Sequence, residues 1–238
     1  MIAQAESAVT TPFKDVNGFR SRRGKLLSEK IKQVRGILGR DLRILDVGGR
    51  GSYWGNVSPE GIAHIEIMNY EAGELAGHLP AGYEGVTTET TVGDARDMRA
   101  RADGSVDFVH SNSVIEHVGA WPDMVKMARE MMRVGLSGWM QTPAWEFPIE
   151  PHFRAPFLHW FGQPLRRKML SLSSRYRGND LAQRRGHIDR INLLSRGEVV
   201  DLFPGADLYT ERVALLPKSY VAYWLPSQPY QMNKAEVN

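Results

Sequence analysis

Apolar positions fall along the chain in two alternating rhythms. Residues 18–39, GFRSRRGKLLSEKIKQVRGILG, place Leu27, Ile31, Val34 and Leu38 three or four apart with lysine and arginine between them, the period of an amphipathic helix. Gly39 ends that pattern, and residues 43–47 follow as a short β-prone run that stops at a glycine cluster. Further strands are expected at 62–68, 85–92 and 106–110, with a short helix at 71–79 between the first two of these. Pro122 suits the first turn of a helix running to Val134, on which Met124, Met127, Ala128 and Met131 form a core-facing stripe. A fifth strand is expected at 136–141. Strands and helices alternating in this way predict a parallel α/β sheet with right-handed crossovers.

The rhythm breaks over residues 142–194, which are rich in proline and aromatics and then in arginine. This stretch reads as an insertion, a lid over the strand ends. After it, Ser195 and Glu198 stand at capping-box spacing before a helix to about residue 202. Two last strands, at 207–215 and 219–224, are joined by Leu216-Pro217-Lys218 and predict an antiparallel hairpin. The expectation is one domain over 1–238, in which 1–39 are a tail and a helix. Residues 1–17 are expected to be a loose tail or a lid that orders late.

Composition narrows the class. With 238 residues, 42% hydrophobic and 24% charged, the chain can bury one sizeable core. It has no cysteine, which excludes disulfides, thiolate catalysis and cysteine-ligated metal sites. No apolar run approaches the roughly 20 residues of a bilayer span. The first residues lack a basic start followed by an apolar stretch, so no secretory leader is expected and the predicted location is cytoplasmic. A net charge of +3 does not argue for a nucleic-acid partner unless the charge is clustered.

Candidate chemistry begins at RILDVGGRGSYW, residues 43–54. A strand ending in Asp46 and running into Gly48, Gly49 and Gly51 lets backbone amides approach a ligand beyond the carboxyl end of a sheet. Glu66 follows Asp46 by 20 positions, near the end of the next strand, where nucleotide-binding sheets grip a ribose. On these residues alone a dinucleotide fits as well as any other nucleotide.

Taken together, the segments resemble the class I methyltransferases that use S-adenosylmethionine, and within them the subgroup often called methyltransferase type 11. ILDVGGRG is similar to the family's first motif, Glu66 to its second-strand acid, VGDARDM to its third motif and DGSVDFVHSNSVIEHVGAW to its fourth-strand motif. The closing RINLLSRGEVVDLFPGADLYTERVALLPKSYVAYW is also similar, and the resemblance covers roughly residues 40–224. It implies a Rossmann-like, seven-stranded, mostly parallel sheet with an antiparallel C-terminal hairpin strand and helices on both faces. It implies S-adenosyl-L-methionine as cofactor, S-adenosyl-L-homocysteine as product, and no metal. The cofactor is then expected to meet Asp46, Gly48, Gly49, Arg50 and Gly51 in the first loop. Glu66 would take its ribose, Asp94 and Ala95 its adenine, and Ser111 and Asn112 its methionine part. Tyr53 or Trp121 would offer an aromatic face to the sulfonium. One departure stands out: the family's G-x-G-x-G spacing would place glycines at 48, 50 and 52, but this chain has Arg50 and Ser52. Arg50 is the candidate partner of the cofactor carboxylate or a cap on the pocket.

For the acceptor, His117 is the candidate general base, weighed against a structural role, and Glu116 beside it either orients it or is solvated, the second being preferred. His152 is a second catalytic candidate. Trp145, Glu150, His152 and Arg154 lie just beyond the fifth strand as candidate acceptor contacts, with Glu150, His152 and Arg154 on one side if that piece is extended, where they either recognise a polar or anionic acceptor or pin the insertion to the sheet. His159 and Trp160 are expected to pack under the lid. The basic run Arg166, Arg167, Lys168, Arg175, Arg177, Arg184, Arg185 and Arg190 is either a solvated face or a docking surface. The resulting expectation is methylation of a small-molecule or glycan-type acceptor, at oxygen if His117 is the base. Kept beside it are an RNA or protein methyltransferase docking through the arginines, an NAD(P)-binding oxidoreductase, and a non-catalytic cofactor-binding protein. No Asn/Asp-Pro-Pro-aromatic motif follows the fourth strand, which ranks nucleic acid lower. The aromatic patch Phe157-Leu158-His159-Trp160-Phe161 is a candidate homodimer contact.

Overall fold

The computed structural model describes residues 18–74, 78–150, 155–172 and 180–226. Helix α1 (Phe19–Leu38) is bracketed by Gly18 and Gly39, both left-handed, and the Gly39 amide donates to the Arg35 carbonyl. Strand β1 (Leu42–Val47) leads through a single 3₁₀ turn, Gly51–Asn56, to β2 (Ile62–Asn69). β3 (Thr87–Val92) and β4 (Val106–Asn112) follow, and then α2 (Trp121–Val134) passes directly into β5 (Gly135–Pro143). A small antiparallel pair, β6 (Ile149–Glu150) and β7 (Ala155–Pro156), precedes α3 (Gln163–Leu172) and α4 (Leu181–Asp189). The chain returns through α5 (Arg196–Leu202), β8 (Asp207–Val213) and β9 (Leu216–Trp224). Residues 1–17, expected to be a tail, lie outside the described residues.

The seven-stranded sheet runs in the order β3-β2-β1-β4-β5-β9-β8. Its first five strands are parallel, and β9 pairs antiparallel with both β5 and β8. β1 has β2 on one side and β4 on the other, so the strand order reverses beside β1 and a crevice opens there.

Side chains alternate across the sheet, and each face finds its own helices. Ile44, Ile65, Ile67, Phe108 and Trp139 pack with Leu27, Ile31 and Val34 of α1 and with Trp54 of the 3₁₀ turn. On the other face, Leu45, Val47, Val109 and Met140 meet Met124, Met127 and Met131 of α2 and Val199 and Leu202 of α5. The methionine stripe is therefore core, as its spacing implied. Ser195 and Glu198 form the expected capping box on α5.

Several elements differ from the sequence expectation. The helix expected at 71–79 is, among the described residues, only a 3₁₀ turn at Ala72–Glu74, and the connection from β1 to β2 carries no α-helix. Gly55, Pro59 and Gly61 interrupt that connection, and Pro80, Gly82 and Gly85 the later one. β2 runs one residue further than expected and β4 two further, to Asn112. The hairpin turns at Ala214 and Leu215 instead of at 216–218. Of the aromatic patch, Leu158 and His159 are buried, whereas Phe157, Trp160 and Phe161 stay 40–46% exposed. No helix among the described residues is long and apolar enough to cross a membrane.

α1 docks on the 3₁₀ turn through Gly24, where an added Cβ would stand 1.9 Å from the Asn56 carbonyl oxygen. Gly36, in the same helix, has no atom within 4 Å of such a Cβ and is exposed. Gly24→Ala is thus expected to cost about 1–3 kcal/mol through forced displacement of the helix. Gly36→Ala should instead stabilise by about 0.4–1 kcal/mol through reduced entropy of the unfolded chain. Urea unfolding of the two variants checks the opposite signs.

Candidate functional site

Asp46 is the last acid of β1 and is fully buried. Its Oδ1 lies 2.6 Å from His110 Nδ1, and its Oδ2 accepts from Trp54 Nε1 at 2.9 Å. Sheet register sets the first contact, since Asp46 and His110 are partners across β1 and β4. Beyond it the chain turns at Gly48, which is left-handed at φ +69°, and an added Cβ there would lie 2.6 Å from the Val114 side chain. A Cβ on Gly49 would lie 1.9 Å from Asp46 Oδ2. Both positions therefore require glycine. The turn is pinned to the next strand, because the Gly48 amide donates to the Met68 carbonyl and Asn69 Nδ2 to the Gly49 carbonyl.

A cavity of about 850 Å³ opens above this turn, at the place where the strand order reverses. Its floor is Asp46, Gly48, Gly49, Tyr53 and His110. One wall is the tips of β2 and β3, with Asn69, Tyr70, Glu71, Asp94, Ala95 and Arg96. The opposite wall is Asn112, Ser113 and His117, and α1 closes the end with Arg20 and Arg23. Arg50 is exposed at the lining.

Electrostatics fix several of these groups. Arg96 forms an ion pair with Asp94 at 2.7 Å, and its hydrogen bond holds the Asp94 carboxyl below the usual carboxylate range. Burial, opposed by the charge of Arg23, pushes the Tyr53 hydroxyl above its ordinary range, so it is a neutral donor. Arg23 donates to both Glu211 oxygens, at 3.0 and 2.6 Å. It also donates to Asn112 Oδ1 at 2.9 Å and to Gln141 Oε1 at 3.0 Å. Ser113 sits at φ +56°, uncommon for a residue with a Cβ, and its hydroxyl and amide both donate to Gln141.

The structure brings together Asp46, Gly48, Gly49, Arg50, Asp94, Ala95, Asn112 and His117, but it separates the remaining candidates. Glu66 is a correction. It lies three residues before the end of β2, lines a separate cavity, and is held by Arg101 and by Thr91 Oγ1. The acid that reaches the main cavity from this strand end is Glu71. Ser111 is fully buried, and its hydroxyl donates to the Val47 carbonyl, joining the tips of β1 and β4. Gly51 is buried at the start of the 3₁₀ turn, behind the lining. Glu116 is not solvated: the tight turn Ile115–His117 aims it inward, where Thr142 Oγ1 donates to it, and leaves His117 exposed at the cavity. Trp145 lines a second cavity of about 480 Å³ with Trp121, His159, Arg166 and Asn192. Glu150 pairs with Ala155 in the β6–β7 hairpin, not in one extended run, and His152 and Arg154 lie outside the described residues.

Sequence reasoning passed over His110, Arg23, Asn69, Tyr70 and Glu71. Arg23 had a signal, because it stands four residues before Leu27 and so extends the buried stripe of α1. His110 had a weaker one, a polar residue closing an apolar strand. Of the basic run, Arg166 donates to the carbonyls of Phe161 and His159, and Arg167 bonds Gln163 and lies 3.6 Å from Asp189. Arg175 and Arg177 lie outside the described residues.

A family model described as a methyltransferase domain matches residues 19–208. Comparison with curated proteins gives no match. Among solved structures, the PH0226 protein of Pyrococcus horikoshii OT3 is similar at 14% identity and a TM-score of 0.47, covering 85% of this chain and 91% of that one. WbdD is similar at 14% identity and a TM-score of 0.49, covering 84% of this chain but only 39% of its own. The N-terminal domain of EvdMO1, solved with S-adenosylhomocysteine (SAH) and D-fucose, is similar at 13% identity and a TM-score of 0.46, covering 86% and 80%.

The reassignment of Glu66 has a measurable consequence. Burial raises its carboxyl pKa, but the hydrogen bonds from Arg101 and Thr91 outweigh that and leave it lowered. A lowered folded value stabilises above the ordinary carboxylate pKa, and the gain is lost as pH falls through the folded value. Glu66→Ala is expected to lose about 1.5–3 kcal/mol at neutral pH, with the deficit shrinking below about pH 4. Urea unfolding across pH checks this, and SAH affinity should be unchanged.

Proposed function

The chain belongs to the class I methyltransferases that use S-adenosylmethionine, and from that membership we propose that it methylates a small-molecule or sugar-like acceptor at oxygen. The observation that carries the reading is the single cavity that takes in the glycine turn, the Asp94–Arg96 pair, Asn112 and His117 together. The residues present fit the cofactor. Gly48 and Gly49 keep the turn's backbone bare at the cavity floor, since a side chain at either would collide with Val114 or Asp46. Asp94 is an ionised acceptor held by Arg96, and Arg20 and Arg50 bring positive charge for a carboxylate.

When bound, the cofactor supplies a methyl group on a sulfonium, open to in-line displacement without a metal. The protein's work is then positioning, whose upper range is about 7–11 kcal/mol of barrier. Tyr53 and His110 are rings fixed at the floor with centroids 4.7 Å apart, and Asn112 is immobilised by Arg23. In this reading Glu71 takes the ribose position first given to Glu66, and Tyr70, with Arg96 5.8 Å from its ring, borders the adenine position. His117, exposed at the cavity, accepts the acceptor's hydroxyl proton. The second cavity borders the first across the short segment from His117 to Trp121, and its Trp145 and Trp121 suit the far side of an acceptor.

A small acceptor is favoured over RNA because Arg166 and Arg167 each turn donors to groups of the chain itself, the Phe161 and His159 carbonyls and the Gln163 side chain. Family membership sets the dinucleotide reading aside.

Calorimetry is expected to register SAH and not NADH, and binding of NADH alone would overturn the reading. With labelled cofactor, sugars and small hydroxylated compounds should accept methyl groups and bulk RNA should not. His117→Ala is expected to lower turnover by about 10²–10⁴-fold with SAH affinity kept. Wild-type turnover in that variant removes His117 as the base.

A further inference from the structure

Buried beneath the main cavity is a polar atom that the reaction as described does not use. His110 is 1% exposed, and its Nε2 has no hydrogen-bond partner. The other ring nitrogen is committed. Asp46, as a carboxylate, only accepts, and it already accepts from Trp54, so the imidazole donates to it from Nδ1. In the neutral ring this leaves Nε2 with a lone pair. Tyr53 and Trp54 flank the ring, with centroids 4.7 and 5.1 Å away, and hold it in one orientation. An acceptor without a donor in a buried place is costly, and the ring that carries this one lines the floor of a ligand cavity, with Nε2 itself just beneath the surface.

We propose that His110 Nε2 accepts a hydrogen bond from the α-ammonium of the bound cofactor, with Asp46 as the positioning residue that fixes the tautomer. The proposal rests on the methyltransferase reading. It changes the expected part of Asp46: both of its oxygens are taken up inside the protein, and the polar contact is passed one residue on, to the histidine. Arg20 and Arg50 line the same cavity and offer the matching charge for the carboxylate beside that ammonium. A neutral imidazole acceptor beside cations distinguishes a zwitterion from a simple anion, since it gives the positive end of the ligand a partner of its own.

The test compares SAH with 5′-methylthioadenosine, which keeps the nucleoside and sulfur but lacks the amino-acid part. His110→Asn preserves an N–H toward Asp46 and removes the Nε2 acceptor. SAH affinity should fall roughly ten- to a hundredfold in this variant, the range of a hydrogen bond to a charged group, while methylthioadenosine affinity stays at the wild-type level. Equal losses for both ligands, or none, overturn the proposal. A measurement on the wild type guards against a variant that fails to fold. The imidazole ¹⁵N spectrum should report Nδ1 protonated and Nε2 bare in the free protein, with the Nε2 signal moving on addition of SAH but not of methylthioadenosine. A doubly protonated ring overturns the proposal. So does an Nε2 signal indifferent to both ligands, the result expected if a water bridged it to the Trp139 indole, which faces the same interior without a partner. Failure of the wild type to bind SAH at all overturns the methyltransferase reading instead.

Discussion

The buried carboxylate of Asp46 ties three separate pieces of chain to one point. It closes β1, accepts from the indole of the 3₁₀ turn and takes the imidazole of β4, all with no exposure to water. A buried charge of this kind is tolerated only where donors replace its hydration, and both donors here are ring N–H groups of limited freedom. The glycine turn inherits its shape from that arrangement. Gly49 must lack a side chain because Asp46 occupies the space, and Trp54 fills the α1-side core beneath. Loss of the carboxylate would leave two buried donors unsatisfied and release the turn that forms the cavity floor.

α1 supplies the other fixed reference. Its apolar stripe packs on the sheet, and one turn earlier the same face presents Arg23 to Asn112, Gln141 and Glu211. Those acceptors come from β4, β5 and β8, so a single guanidinium fastens the helix across half the sheet and orients Asn112 at the cavity wall. Residues 188 positions apart in sequence meet there. The helix thus does more than cover the core, because its N-terminal half completes the site.

Much of the fold was legible because it is written in period. The stripes of α1 and α2, the capping box of α5 and the short apolar runs of β1, β4 and β5 each follow from local pattern, and α1, α2, β1 and β5 end at glycine or proline. What failed to read was the connection between β2 and β3, where interrupted segments give 3₁₀ turn and loop, and the depth at which each polar residue sits. Glu66 had the right spacing for a ribose acid. Spacing does not say that the strand continues to Asn69, nor that Arg101 claims the carboxylate from the other face. Glu116 and His117 are adjacent in sequence, yet one is buried and the other exposed, a difference set by a tight turn that no periodicity announces. His110 was invisible for a related reason, since its role depends on a cross-strand partner.

The altered glycine loop, the least regular part of the family pattern, now has a physical account. In a nucleotide-binding turn the first glycine makes the bend, the second admits the ligand's approach, and the third allows a helix to pack closely on the strand. Here Gly48 makes the bend, and Gly49 is demanded by the Asp46 carboxylate that a Cβ would strike, so glycine is required at two adjacent positions. The third requirement disappears, because a 3₁₀ turn anchored by Trp54 stands where the packed helix would begin. Arg50 and Ser52 are then free of the constraint that demands glycine, and both line the cavity as exposed polar side chains. The loss of a regular helix, which Gly55, Pro59 and Gly61 interrupt, and the gain of a charged rim meet in one turn, held in place where the indole of Trp54 donates to the carboxylate at the end of β1.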